Sequence, residues 1–168
     1  KEEAIVAVTK VKYKGVFYLE LLYDKLRNWF ILSGYDDPCK LGERKYSEKI
    51  KPGGKDLEVL WETKKNEEDG YFVLRIKVSF YVTNMNEVEV EKEGKKIKMH
   101  KGTLEMTFSS DFTENPKDSF WDEKSFVYRL YHRLSGLEDR AEQQKIELYV
   151  DTNKIIDEVK AFLNLYRF

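Results

Sequence analysis

Two stretches hold the side chains best suited to chemistry. The first is Asp36-Asp37-Pro38-Cys39, two adjacent carboxylates and the chain's single cysteine in a turn sequence. Carboxylates bind hard cations and a thiolate binds zinc, but a closed zinc site needs about four ligands at short spacings. Cys39 has no second cysteine or nearby histidine to join it. The second stretch is Ser109-Ser110-Asp111. A nucleophilic serine of the elbow type needs a sharp strand-to-helix turn, and this triplet falls inside a run that reads as strand. His100 and His132 lie on different elements with no motif beside either. The nine glycines are scattered at turns, so no Gly-rich loop is set to cradle phosphates. The chain is accordingly read as non-catalytic, without cofactor or resident metal.

Charge patterning gives a third candidate and largely cancels it. Glu87, Glu89 and Glu91 resemble an acidic site, and the run from Lys92 to Lys101 a basic patch. If Glu93-Gly94 is a tight turn, Glu91 faces Lys96, Glu89 faces Lys98, and Glu87 faces His100. Such opposite-charge pairs add about 0.2–1 kcal/mol each across a sheet. A phosphate contact through Lys92, Lys95 and Lys101 is the alternative. The net charge of −1 argues against a dedicated nucleic-acid binder, so no nucleic-acid partner is expected.

These residues need elements to position them. From Phe72 to Val82 the chain alternates, with Phe72, Leu74, Ile76, Val78, Phe80 and Val82 on one side. A period of two over this length predicts a half-buried strand. The polar loop Asn66-Glu67-Glu68-Asp69, followed by Gly70, predicts a hairpin that pairs Leu57 with Val78, Val59 with Ile76 and Trp61 with Leu74. Asn84-Met85-Asn86 is expected to turn the chain again, setting Val82 against Val88 and Phe80 against Val90. The Glu93-Gly94 turn then sets Val90 against Ile97 and Val88 against Met99. Ile97 and Met99 are odd-numbered, whereas Leu104, Met106, Phe108 and Phe112 are even. One extra residue restores the pattern, and Lys101-Gly102 is the expected β-bulge.

The flanks follow by the same rules. Glu3 to Lys14 is an expected strand, with Ile5, Ala7, Val11 and Tyr13 on one face. Phe17 to Ser33 is an expected helix, its core stripe Leu19, Leu22, Leu26, Trp29 and Phe30, closed by Gly34. Lys45 to Lys51 is a charged edge strand. Asp118 or Ser119 starts a helix to about Ser135, and a last helix runs from near Glu138 almost to Phe168. Its apolar face combines Leu148, Thr152, Ile155, Val159, Phe162 and Tyr166 with Tyr149, Ile156 and Leu163. That face is wider than a two-stranded coiled-coil seam. If continuous, the helix is ~40 Å long and outruns a typical ~17–20 Å strand. The expected fold is therefore a single α+β domain over residues 1–168. Its antiparallel meander sheet has about five to six strands, covered on one face by an N-terminal helix and two C-terminal helices.

Composition bounds the rest. At 168 residues the chain is long enough to bury most of its apolar surface in one core. A single cysteine forms no intramolecular disulfide, which points to a reducing, cytoplasmic setting. No run of about 18 apolar residues spans a membrane. A start at Lys1 rather than Met fits a removed leader or a trimmed chain. Scarce Gln beside abundant Lys, Glu and Tyr is a thermophile-like composition.

The order strand, helix, meander, long C-terminal helix is similar to the helix-grip order of START-like proteins, in which a long helix closes a curved sheet over an apolar cavity. The chain departs from it in having two helices after the sheet. The Tyr18–Trp29–Phe30 helix, Trp61-Glu62, the run Phe72 to Phe80, and Lys95 to Leu104 with Lys101-Gly102 resemble small uncharacterised archaeal proteins over most of the chain. Neither resemblance implies a functional residue, and fold does not fix function.

Two functions are expected. One is a protein-interaction or structural protein, self-associating or part of a larger assembly. Its interface would hold Tyr149, Ile156, Leu163 and Tyr166, and its N-terminal strand could pair in trans. The other is a binding module for a small apolar ligand, with a cavity between sheet and C-terminal helix lined by Trp61, Phe72, Phe80, Met106 and Phe162.

Overall fold

The computed structural model describes residues 2–66, 71–114 and 136–165, together with 126 and 130. In chain order it contains β1 (Glu2–Phe17), α1 (Leu19–Leu32), one turn of π-helix (Pro38–Gly42) and β2 (Glu43–Lys51). There follow β3 (Gly54–Asn66), β4 (Phe72–Lys92), β5 (Lys95–Glu114) and α2 (Leu137–Asn164). The fold is α+β, and the strands form one five-stranded antiparallel sheet in the order β1-β5-β4-β3-β2. β2 to β5 are a meander. β1 lies at the far edge beside β5, so α1 carries the chain from one edge of the sheet to the other. The helix expected from Asp118 or Ser119 to Ser135 lies outside the described residues, Phe126 and Leu130 excepted.

The alternation in β4 does what a period of two requires. Phe72, Leu74, Ile76, Val78, Phe80 and Val82 are all buried, with Leu104, Met106, Phe108 and Phe112 of β5 beside them. Each such side chain contributes about 1.5–3 kcal/mol by leaving water. The opposite face carries charge: Lys10 pairs with Glu105 at 2.8 Å and Arg75 with Asp111 at 3.3 Å.

Both helices cover the apolar face. α1 buries Leu22, Leu26 and Phe30, at spacings of four. It ends in a Schellman motif: the Tyr35 N–H donates to the Phe30 carbonyl (2.9 Å) and the Gly34 N–H to that of Ile31 (3.2 Å). The motif needs a left-handed residue, and Gly34 supplies it at φ +88°. α2 buries Leu148, Ile155, Val159 and Phe162. Thr152, also buried there, donates its hydroxyl to the Leu148 carbonyl at 2.7 Å, so no polar atom is stranded. The helices meet through Tyr35, whose hydroxyl donates to Asp151 (2.9 Å), and through the Lys25–Glu158 pair (3.5 Å).

Within β3, β4 and β5 the register differs from expectation at three places. Leu57 pairs with Val82, Val59 with Phe80 and Trp61 with Val78, each four residues from the expected partner. The slip is four residues, an even number, so every side chain keeps its face. Second, Asn84-Met85-Asn86 is no turn. β4 runs through it unbroken, and Val82 and Phe80 pair with Leu104 and Met106. Third, the bulge lies beside Gly102, but its extra residue belongs to β4. Thr83 pairs with Thr103 and Asn86 with Lys101, so Asn84 and Met85 oppose Gly102 alone. β5 therefore keeps its phase while β4 changes face. By that parity Val88, Val90, Ile97 and Met99 lie on the face away from the helices, and buried Met99 stands outside the core cluster. The hairpin beyond the bulge keeps its expected pairs, from Glu87–His100 to Glu91–Lys96, about a turn in which Glu93 and Gly94 take φ of 54° and 75°.

The bulge is stitched on both sides. The Asn84 N–H donates to Asp56 of β3 (3.1 Å), which also pairs with Lys51. The Asn86 amide donates to the Gly53 carbonyl at 3.2 Å. A Cβ on Gly102 would lie 2.9 Å from the Thr83 carbonyl oxygen and 3.2 Å from the Met85 Cα, both backbone atoms that yield little. Gly53 has only ordinary contact around it, its nearest neighbour at 3.8 Å. Gly102→Ala is thus expected to lower stability by about 1–3 kcal/mol. Gly53→Ala should leave stability equal or raise it by about 0.4–1 kcal/mol. Urea unfolding of the two variants decides, and equal midpoints would remove the close-packed bulge. Lys51 and the Asn84 N–H hold the Asp56 carboxyl below the usual carboxylate range. A depressed native value adds stability that is fully present above about pH 4 and is lost as pH falls through that value. Asp56→Asn should flatten the acid limb of stability against pH. An unaltered limb would show that the contact does not persist in solution.

Candidate functional site

Trp61, central in β3 and fully buried, brings a polar atom into the core. A buried indole N–H needs an acceptor. It finds two: Glu43 at the start of β2 (3.2 Å) and the hydroxyl of Tyr23 on α1 (3.3 Å). Tyr23 in turn donates to the same Glu43 carboxylate in a short contact. Burial first, then this bond to Glu43, pushes the Tyr23 phenol far above its ordinary range, so it stays a protonated donor. The rings pack edge-on, Tyr23 to Trp61 at 4.5 Å and Trp61 to Phe80 at 4.9 Å.

A recess of about 360 Å³ opens beside this triad, between the first half of α1 and the β2 edge of the sheet. Its floor is Leu57, Val59 and Phe80. Leu19 and Tyr23 wall it from α1, and Tyr46 from β2. Glu20 and Asp24, exposed on α1, stand at its mouth. The Tyr46 hydroxyl is spent on Glu48 (2.9 Å), which also accepts from Lys55 (3.2 Å).

The stretch at Asp36-Asp37-Pro38-Cys39 is committed to structure. Asp37 accepts two bonds from Arg27, at 2.9 and 2.8 Å, and one from the Cys39 N–H at 3.0 Å. Arg27 holds the Asp37 carboxyl below its usual range, and burial raises the Cys39 thiol, which works against thiolate chemistry. Among the described residues no group of three His, Cys, Asp or Glu side chains could hold a metal. Ser110 is buried, its Oγ without a partner among the described residues, and Asp111 holds Arg75. His100 pairs with Glu87 and lies 6.4 Å from the Phe17 ring, while His132 is outside the described residues.

The expected interface and cavity residues are dispersed. Tyr149 is 53% exposed on α2, but Ile156 and Leu163 are 4% and 3% exposed and belong to the protein's own core. Tyr166 is outside the described residues. β1 pairs with β5 of its own chain along its length, which leaves one edge open. Of the expected cavity residues, Phe80 lines the recess and Trp61 packs against it. Phe72, Met106 and Phe162 are packed into the core cluster. The residues that sequence reasoning missed are Tyr23, Glu43 and Tyr46. Their signals were Tyr23 four residues after Leu19 and Tyr46 in phase with Glu48, but a single strand pattern does not show which helix flank will face it. Among the described residues no helix is long and apolar enough to cross a membrane.

No protein-family model matches the chain, and no curated protein does. Two solved structures are similar in outline. One, a protein of unknown function from Staphylococcus aureus, is 9% identical at a TM-score of 0.27, covering 98% of this chain and 96% of that one. The other, an uncharacterized protein from Rhizobium leguminosarum, is 11% identical at a TM-score of 0.22, covering 97% of each. At these scores the likeness carries neither fold assignment nor function.

Proposed function

We propose that this chain is a non-catalytic binding protein whose recess beneath α1 takes a small, largely apolar molecule. The observation that carries the reading is the recess itself, about 360 Å³ with an apolar floor of Leu57, Val59 and Phe80. That volume falls within the usual ~300–1,000 Å³ of ligand sites. Such a ligand site lies under the first helix rather than under the C-terminal one. Methyl NMR with a neutral alcohol such as 1-octanol tests it. Saturable shifts should be confined to Leu19, Leu57 and Val59, and Leu19→Trp, which fills the recess from its half-exposed wall, should weaken them at least about tenfold. At a hundredfold excess over Kd the ligand should add about 2.7 kcal/mol of stability. Shifts scattered over the surface, or unaltered by the tryptophan, would reject the reading.

A second reading is self-association through α2, favoured by Ile146, Tyr149 and Val150, exposed at 61%, 53% and 42% and spaced to share one face. Light scattering should then show a dimer that Tyr149→Lys dissociates. A monomer at every concentration would end this reading.

A further inference from the structure

The recess offers its ligand an unbalanced set of polar groups. Both phenol hydroxyls are committed, Tyr23 to Glu43 and Tyr46 to Glu48, so the tyrosines present rings and not donors. The indole N–H of Trp61 is committed as well. The cations nearby are also taken: Lys55 by Glu48 at 3.2 Å, Lys25 by Glu158 at 3.5 Å, and Arg27 by Asp37 at 2.8 Å. Glu20 and Asp24, one turn apart on α1, stand at the mouth and make no ion pair among the described residues. Behind them stand three aromatic rings, those of Tyr23, Tyr46 and Phe80, with the Tyr23 and Phe80 centroids 5.8 Å apart. Aromatic faces attract cations through the ring quadrupole, and carboxylates attract them through charge. An anionic headgroup would meet two like charges at the mouth.

We infer that the ligand of this recess is a cationic amphiphile: an apolar chain or ring on Leu57 and Val59, with an ammonium group among Tyr23, Tyr46, Glu20 and Asp24. This rests on the recess being a binding site, and it adds the charge of the occupant. Three probes of equal chain length separate the two ideas: octyltrimethylammonium, 1-octanol and octanoate, each below its micellar concentration and followed by methyl NMR. The ammonium probe should bind more tightly than the alcohol, and octanoate more weakly than either. Glu20→Gln with Asp24→Asn should cost the ammonium probe about five- to tenfold and leave the alcohol unchanged. Both positions are exposed, so the fold should survive, and circular dichroism checks it. As a second measure on the unaltered protein, affinity for the ammonium probe should fall with salt while that for the alcohol holds. If all three bind alike and the double variant changes none, the charge preference is wrong and the recess stands. If none binds at the recess, both fail.

Discussion

Trp61 sets the terms for one half of this protein. Its ring is fully buried, yet its N–H must be paired, because an orphaned polar group in the core costs about 1–3 kcal/mol. β3 is a central strand, paired by β2 on one side and β4 on the other. Acceptors therefore have to arrive from outside β3, and they come from two directions at once: Glu43 from the edge strand and Tyr23 from α1. One indole thus pins a helix and an edge strand to the same spot. Arg27 and Asp37 hold the connection between them. What remains between the pinned helix and the edge is the recess, a gap that three fixed elements leave open.

The second organising constraint is one residue of backbone. β4 is 21 residues long, and a single insertion at Asn84-Met85 shifts its phase. Before the bulge the even positions meet the helices. Beyond it they face away, and the apolar stripe of Val88, Val90, Ile97 and Met99 passes to the other side. The insertion is held by Asp56 on one flank and accommodated by the missing Cβ of Gly102 on the other. Bulges favour bending, and here the insertion marks where the β4–β5 hairpin runs on beyond its pairing with β1 and β3.

The recess and the bulge illustrate two ways a sheet becomes specific. The bulge is local, made from neighbouring strands and legible as a parity break. The recess is non-local, made by side chains from α1, β2, β3 and β4 whose sequence separations run to about 60 residues. Its chemistry depends on which polar groups have already been used. Tyr23 and Tyr46 look like free donors in a sequence, but their hydroxyls are already given to Glu43 and Glu48.

The sequence by itself determined the alternation of β4, the edge character of β2, the α1 stripe with its Gly34 stop, and the whole hairpin from Glu87 to His100. Each of these rests on short-range periodicity or turn geometry, which neighbouring residues carry in full. It also showed that an odd residue had to be absorbed near Gly102. Only the tertiary structure decided which strand absorbs it, because parity counts the insertion without locating it. The β3–β4 register was likewise undecided, since a slip of four leaves the same faces buried. The fate of Ile156 and Leu163 was decided in three dimensions too: a wide apolar stripe records how much surface is buried, and only packing shows that their own sheet and helix bury it. The recess belongs wholly to the folded chain, because a void is defined by what fails to meet there.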